Sequence, residues 1–165
     1  MSLRLLSILI VSLALFSCKE KQKAAEGTQA AGSAAVGQNE ADSLLYFYKR
    51  TPCFGTCRTF ELSIYASGYA VFEGKQNVEL IGKYHSTFSK AALQRIEKVV
   101  NEIEYFRFND SYDFDGVQDL PSVHTTVNLG GKKKSVHDRY QGPPALDRLY
   151  EALDEEVKSN NWIQE

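Results

Sequence analysis

Cys53 and Cys57 bracket the stretch TPCFGTC, Thr51 to Cys57, in a chain with three cysteines in all. Three kinds of chemistry fit two thiols at this spacing. The first is a structural disulfide, because Gly55 lets the chain turn tightly enough to bring the two Cα atoms to about 5.5–6 Å. The second is a metal clamp, since two thiolates suit Cu(I) or Zn(II). A zinc site takes four ligands and there is no second cysteine pair, so histidine must complete it. The third is a redox-active pair. The usual redox spacing is C-x-x-C at the start of a helix, where the dipole lowers a thiol pKa, but here a strand pattern follows Cys57. Spacing and flanks favour the disulfide.

The histidines are His85, His124 and His137. A two-residue turn at Gly130-Gly131 sets His124 directly opposite His137, with Cβ atoms about 4.5–5.5 Å apart. That is close enough to share a metal, so Cys53, Cys57, His124 and His137 form the candidate metal set. The neighbours on that face, Thr126, Asn128, Lys133 and Ser135, equally describe two histidines on a solvated surface. A slip of one residue in the turn abolishes the pair. A second candidate is the acidic stretch Asn109 to Asp119. Asp113, Asp115 and Asp119 lie around Gly116, and oxygen-rich loops with a glycine bend bind Ca²⁺. The D-x-D-G fragment resembles the core of an EF-hand loop but lacks a Glu at the twelfth place. Asp and Gly also favour turns for their own reasons. No G-x-S-x-G, P-loop, dinucleotide fingerprint or H-E-x-x-H occurs. Enzymology has no positive signal, and no cofactor is implied.

The N-terminus bears on compartment. Arg4, the apolar run Leu5 to Phe16 and then Ser17-Cys18 form a secretory leader over residues 1–17. The apolar run is shorter than the about 20 residues a membrane span requires. Leu15-Phe16-Ser17-Cys18 resembles the lipobox of bacterial lipoproteins. The resemblance implies that Cys18 is lipidated, with acyl chains of the palmitate type anchoring the protein stably. Lys19, where an Asp would signal inner-membrane retention, points to the outer membrane, facing periplasm or cell surface. Disulfides persist in that oxidising envelope. The net charge is −2, and loss of Arg4 with the leader makes the remainder more acidic. Lys132 to Lys134 is the one basic block, so nucleic acid is excluded as a partner.

These residues need a scaffold. Residues 18–42 comprise the anchor cysteine and a small, polar linker without hydrophobic period. It cannot bury enough apolar surface to offset ordering, and as a coil of about 24 residues it reaches roughly 27 Å. Residues 43–165 form one α+β domain. Leu44 to Lys49 reads as a buried strand, and Phe60, Leu62, Ile64 and Ala66 alternate as a second. Ser67-Gly68 is a two-residue hairpin turn, and Tyr69, Val71 and Glu73 return. Val78 to Tyr84 reads as a further strand. Ser89 is the N-cap of a helix carrying Leu93, Ile96, Val100 and Ile103. Two more strands flank Gly130-Gly131. Gly142-Pro143-Pro144 opens a last helix with the stripe Leu146, Leu149, Leu153 and Val157. Trp162 pins the C-terminus.

The order is ββββ-α-ββ-α: a mainly antiparallel sheet with two amphipathic helices packed on one face. The other face is partly open. With a two-residue turn at Ser67-Gly68, Tyr65 opposes Ala70 and Ser63 opposes Phe72. That face, neither polar nor core-like, is a candidate docking surface. With the stapled loop it forms the candidate contact surface, whose large residues are Phe54 of the loop and Tyr65 and Phe72 of the sheet.

The stretch from Tyr48 to Cys57, the strand ending IYASGYAVFEG, DLPS (Asp119 to Ser122), LGGKKKSV and the Pro-initiated last helix resemble, together, a family of small bacterial lipoproteins known only as a domain of unknown function. The likeness runs from about Leu44 to Trp162, and the CFGxC loop is its most specific part. This chain has Arg58 where members of the family often carry proline. The family implies a fold and an envelope location but no activity. The expectation is a membrane-tethered, non-catalytic binding or structural module of the cell envelope, with an envelope protein as its possible partner. The alternative is a metal-handling (copper or zinc) or thiol redox protein using Cys53 and Cys57.

Overall fold

The computed structural model describes residues 42–116 and 119–165. The leader, Cys18 and the linker through residue 41 lie outside the described residues. So do residues 117 and 118 of the acidic stretch.

Strands β1 (Leu44–Arg50), β2 (Thr59–Tyr65), β3 (Tyr69–Gln76) and β4 (Gly82–Thr87) come first. Helix α1 (Lys90–Glu102) and a 3-10 turn at Tyr105–Arg107 follow. Then come β5 (Ser111–Tyr112), β6 (Val123–Leu129), β7 (Lys132–Asp138), α2 (Ala145–Ser159) and β8 (Ile163–Gln164). All eight strands form one sheet, ordered β5-β7-β6-β1-β2-β3-β4-β8. The class is α+β and the pairing is antiparallel, except that β5 runs parallel to β7. The expected order ββββ-α-ββ-α lacked β5 and β8. Each is two residues long and carries no period-two pattern; each exists only because a neighbouring strand offers an edge.

Period two does the sorting in the longer strands. Tyr46 and Tyr48, Phe60, Leu62 and Ile64, Ala70 and Phe72, and Val127 and Val136 point to one face and are buried. Against them lie Ala92, Ile96 and Val100 of α1 and Leu146, Leu149, Leu153 and Val157 of α2. Ser89 caps α1 as expected, its hydroxyl accepting from the Ala92 N–H at 3.1 Å. Trp162 packs on Phe72 and Phe88, and its indole N–H donates to the Val157 carbonyl at 2.8 Å, fixing the chain end to α2.

The two hairpins behave differently. Gly130 and Gly131 both have positive φ, 57° and 74°, as a two-residue type I′ turn needs. The register Leu129↔Lys132 to His124↔His137 follows. At the other hairpin three residues turn, and Ile64 pairs with Ala70 and Leu62 with Phe72. The expected register was therefore one residue off. Phe72, assigned to the open face, is 2% exposed in the core, and Val71 opposes Ser63 instead. The physical reason lies in the turn. Ala66, Ser67 and Gly68 form a three-residue loop: the Gly68 N–H donates to the Tyr65 carbonyl at 2.9 Å, and Gly68 takes the positive φ of 88° that closes such a loop. The Gly68 carbonyl also accepts from the Phe88 N–H at 2.8 Å, and a Cβ at Gly68 would stand 2.5 Å from the Phe88 carbonyl oxygen. The fourth strand also begins later than Val78. Residues 77–81 form a loop whose Leu80 carbonyl sits where a Cβ of Gly74 would be, 1.7 Å away.

Candidate functional site

Cys53 and Cys57 are joined in a disulfide with Cα atoms 5.7 Å apart. The closed turn connects β1 to β2. Its base is clamped on both sides. The Thr51 N–H donates to the Ser122 carbonyl at 3.0 Å, and the Ser122 N–H donates to the Thr51 hydroxyl at 2.7 Å. On the other side the Asn77 amide donates to the Cys57 carbonyl at 3.0 Å. At the tip Phe54 is 97% exposed. An apolar ring held in water by a covalent turn has no core to serve.

Beneath the turn is a network that sequence reasoning missed. Asp154 of α2 accepts from Arg58 at 2.8 Å, from Arg50 at 3.4 Å and from the Tyr48 hydroxyl at 3.2 Å. The Arg50 guanidinium also lies over the rings of Tyr48 and Tyr150, and Arg58 lies over Phe60. The Tyr150 hydroxyl donates to Asp138 at 3.0 Å. Burial pushes the Tyr48 and Tyr150 phenols far above their ordinary values, so both stay neutral donors and neither is a base. The network brackets the disulfide turn to α2. Arg58 is one of its bolts. A metal or redox role for Cys53 and Cys57 needs the reduced pair. The closed bridge, with a strand and not a helix following Cys57, favours the structural role.

On the open face the imidazoles of His124 and His137 stack, with ring centroids 4.4 Å apart and planes 6° from parallel. They begin a row that crosses the sheet as His137, His124, Lys49, Glu61, Glu73 and Lys83. Burial holds the His124 imidazole below its ordinary pKa, helped by His137 and Lys49. Glu61 accepts from Lys75 at 2.8 Å and from Lys49 at 3.1 Å, and these partners hold its carboxyl below the usual range. The next rows are more apolar. Tyr65 lies beside Tyr69 with its ring tilted, and Tyr69 stacks near His85. Tyr65 is thus on the open face as expected, in the company of Tyr69 and His85 where Phe72 was expected.

The larger candidate ligand sets do not assemble. Among the described residues no three His, Cys, Asp or Glu side chains converge to hold a metal ion. The set Cys53, Cys57, His124 and His137 is divided between the loop end of the sheet and its open face. In the acidic stretch Asp113 is taken by Arg139 at 2.6 Å. Desolvation raises its carboxyl, but Arg139 and the Phe114 N–H outweigh that and hold it below its ordinary value. Asp115 and Asp119 are exposed.

The antiparallel topology adds one more arrangement. The loops 51–58 and 77–81, the described parts of the acidic stretch (113–116 and 119–122) and the loop 139–144 all lie at one end of the sheet. Phe54, Ile81 (52% exposed), Phe114 (58%) and Leu120 (40%) lie on three of them. The opposite end carries the turns at Ser67-Gly68 and Gly130-Gly131, and the remaining exposed large hydrophobic, Ile163 (61%), lies on edge strand β8 beside His85. The chain enters at that opposite end, where the Asp42 carboxylate accepts from the Ser67 N–H at 2.9 Å. Single apolar residues in loops look unremarkable in a sequence, so only the topology reveals that they share a rim.

Residues 45–157 match the family model of DUF6438, a domain of unknown function, and the chain belongs to that family. The matched span runs from β1 into the last turn of α2 and so includes the disulfide turn, the Asp154 network and the histidine pair. No curated protein matches the chain.

Proposed function

We propose that this chain is a non-catalytic binding module of the cell envelope, tethered through an acylated Cys18, that grips a protein partner with the loop rim around Phe54. The observation that carries the reading is a fully exposed aromatic ring on a covalently closed turn. A disulfide closing so short a loop stabilises the fold by less than the about 3 kcal/mol of a 15-residue loop. Its larger effect is to hold Phe54 in place, which lowers the ordering cost of binding. Aromatic anchors of this kind carry a large share of interface energy. The rim faces away from the point where the chain enters at Asp42, a geometry suited to a partner beyond the anchoring membrane.

Charge narrows the partner. The rim loops carry Glu79, Asp113, Asp115 and Asp119 against Arg58 and Arg139, and both arginines are already paired. An anionic lipid surface would be repelled. A protein with an apolar pocket flanked by basic groups would not. The anchor rests on the lipobox-like LFSC, and the oxidising envelope suits the bridge.

A photo-crosslinking residue in place of Phe54, installed in living cells, tests the rim. The expected result is a specific adduct that Ile81→Asp abolishes and Ser67→Ala leaves intact. No adduct, or equal adducts from positions 54 and 67, sinks the reading. For the anchor, labelled palmitate should enter the wild type and not Cys18→Ser, which should leave the membrane fraction.

A further inference from the structure

We infer that His124 and His137 form a cross-strand bis-imidazole site for a borderline divalent transition-metal ion, with Cu(II) bound most tightly. The inference stands apart from the rim and from any role of Cys53 and Cys57.

Four observations carry it. First, the two histidines are direct partners in the β6–β7 ladder, with parallel rings 4.4 Å apart. A metal about 2.0–2.1 Å from each nitrogen needs nitrogens no more than about 4.2 Å apart, with both in-plane lone pairs converging on it. Both rings must therefore turn out of the stack about their side-chain torsions, which their place at an open concavity allows. Second, the backbone beneath is fixed. Strand β6 is hydrogen-bonded to β1 as well as β7, and Ser111 of β5 pairs with His137. The next rung is tied by the Thr126–Ser135 hydroxyl contact at 2.8 Å. Sites built on paired strands hold their geometry better than sites on loops. Third, both histidines are half-buried and border a shallow open concavity, so an ion can enter and keep water ligands. Fourth, the two side chains offer nitrogen alone.

The donor set selects the ion. Ca²⁺ and Mg²⁺ demand oxygen ligands, and the bridged cysteines offer no thiolate for Cu(I). Imidazole suits copper, nickel and zinc, and among divalent ions affinity peaks at Cu(II). Lys49, Arg107, Lys132, Lys133 and Lys134 line the same concavity and oppose any cation. Lys49 is partly answered by Glu61 at 3.1 Å, Arg107 by Glu104 at 2.9 Å and Lys134 by Asp110 at 2.5 Å, so the site favours an ion that gains strongly from nitrogen coordination over one held by charge alone.

The test is a Cu(II) titration of the full chain against glycine as a weak competitor, with electron paramagnetic resonance of the product. His124→Asn, His137→Asn and His85→Asn are compared, their folding checked by circular dichroism melting. Loss of an outer-sphere partner alone lowers metal affinity about 10–100-fold, and loss of a direct ligand should cost no less. One Cu(II) per chain in the micromolar range is expected, with two imidazole nitrogens in its spectrum. Each of His124→Asn and His137→Asn should weaken it by about tenfold or more, and His85→Asn should leave it unchanged. Absence of binding by the wild type, or equal affinity in the wild type and both pair variants, overturns the inference.

Discussion

The two ends of the sheet solve the same problem in different ways. Both must reverse antiparallel strands. The end at Ser67-Gly68 and Gly130-Gly131 does so with short turns of small residues, and Asp42 is held there through Ser67. The other end uses longer loops, closes one with a disulfide, and fastens it through Arg50, Arg58 and Tyr48 to a carboxylate of α2 about a hundred residues away. Local turn chemistry suffices where the chain merely reverses. Long-range brackets appear where loops must present exposed apolar side chains that contribute nothing to the core. The contrast separates economy from display and can be broken experimentally.

The largest expected effect is on binding. Phe54→Ala should cost at least about 2 kcal/mol of partner affinity, roughly 30-fold, while stability moves by less than about 0.5 kcal/mol because the ring is solvated. Parallel binding and urea-unfolding curves would show this. If Phe54→Ala destabilised the fold and left binding alone, the rim would be structural after all.

Next comes Asp154→Ala. Two guanidinium groups and a buried phenol lose their common acceptor, so about 2 kcal/mol of stability should be lost. Amide exchange should quicken across residues 51–58. Asp42→Ala, at the opposite end, should change stability by less than about 0.5 kcal/mol. Equal effects from the two substitutions would erase the contrast.

Removing the bridge with Cys53→Ser and Cys57→Ser should cost about 1–2 kcal/mol, below the value for longer loops. The loss of partner affinity should exceed what that stability change alone explains. The smallest effect concerns acid. The Glu61 carboxyl is held below its ordinary value by Lys75 and Lys49, so its protons bind preferentially to the unfolded chain. Its stabilisation, at most about 1 kcal/mol for so accessible a cluster, is present above the unfolded value near pH 4.5. It is lost as pH falls through the folded one. Glu61→Gln should flatten that part of the acid limb, read from urea midpoints between neutral pH and pH 3.

The histidine pair and Phe72 show how far turn chemistry alone can be read. Both rested on counting across a two-residue turn. At Gly130-Gly131 two consecutive positive-φ residues dictate the turn, and His124 meets His137. At Ser67-Gly68 a single positive-φ glycine closes a three-residue turn instead, and Phe72 moved to the core. A Ser-Gly pair suits a turn of either length, so the local pattern left that register open. The Asp154 network lies further from local reach, because its members look like scattered surface charges along the chain.

The sequence by itself determined strands β1 to β3, β6 and β7, both helices and their buried stripes, the Ser89 cap, the reach of Cys53 to Cys57 and the opposition of the histidines. Each follows from periodicity or from the backbone preferences of a few adjacent residues. Only the tertiary structure decided the register of the first hairpin, the existence of β5 and β8, the bracket at Asp154 and the gathering of Phe54, Ile81, Phe114 and Leu120 on one rim. Apart from the hairpin register, those depend on which distant segments meet, and short-range physics leaves that choice open until the core has packed.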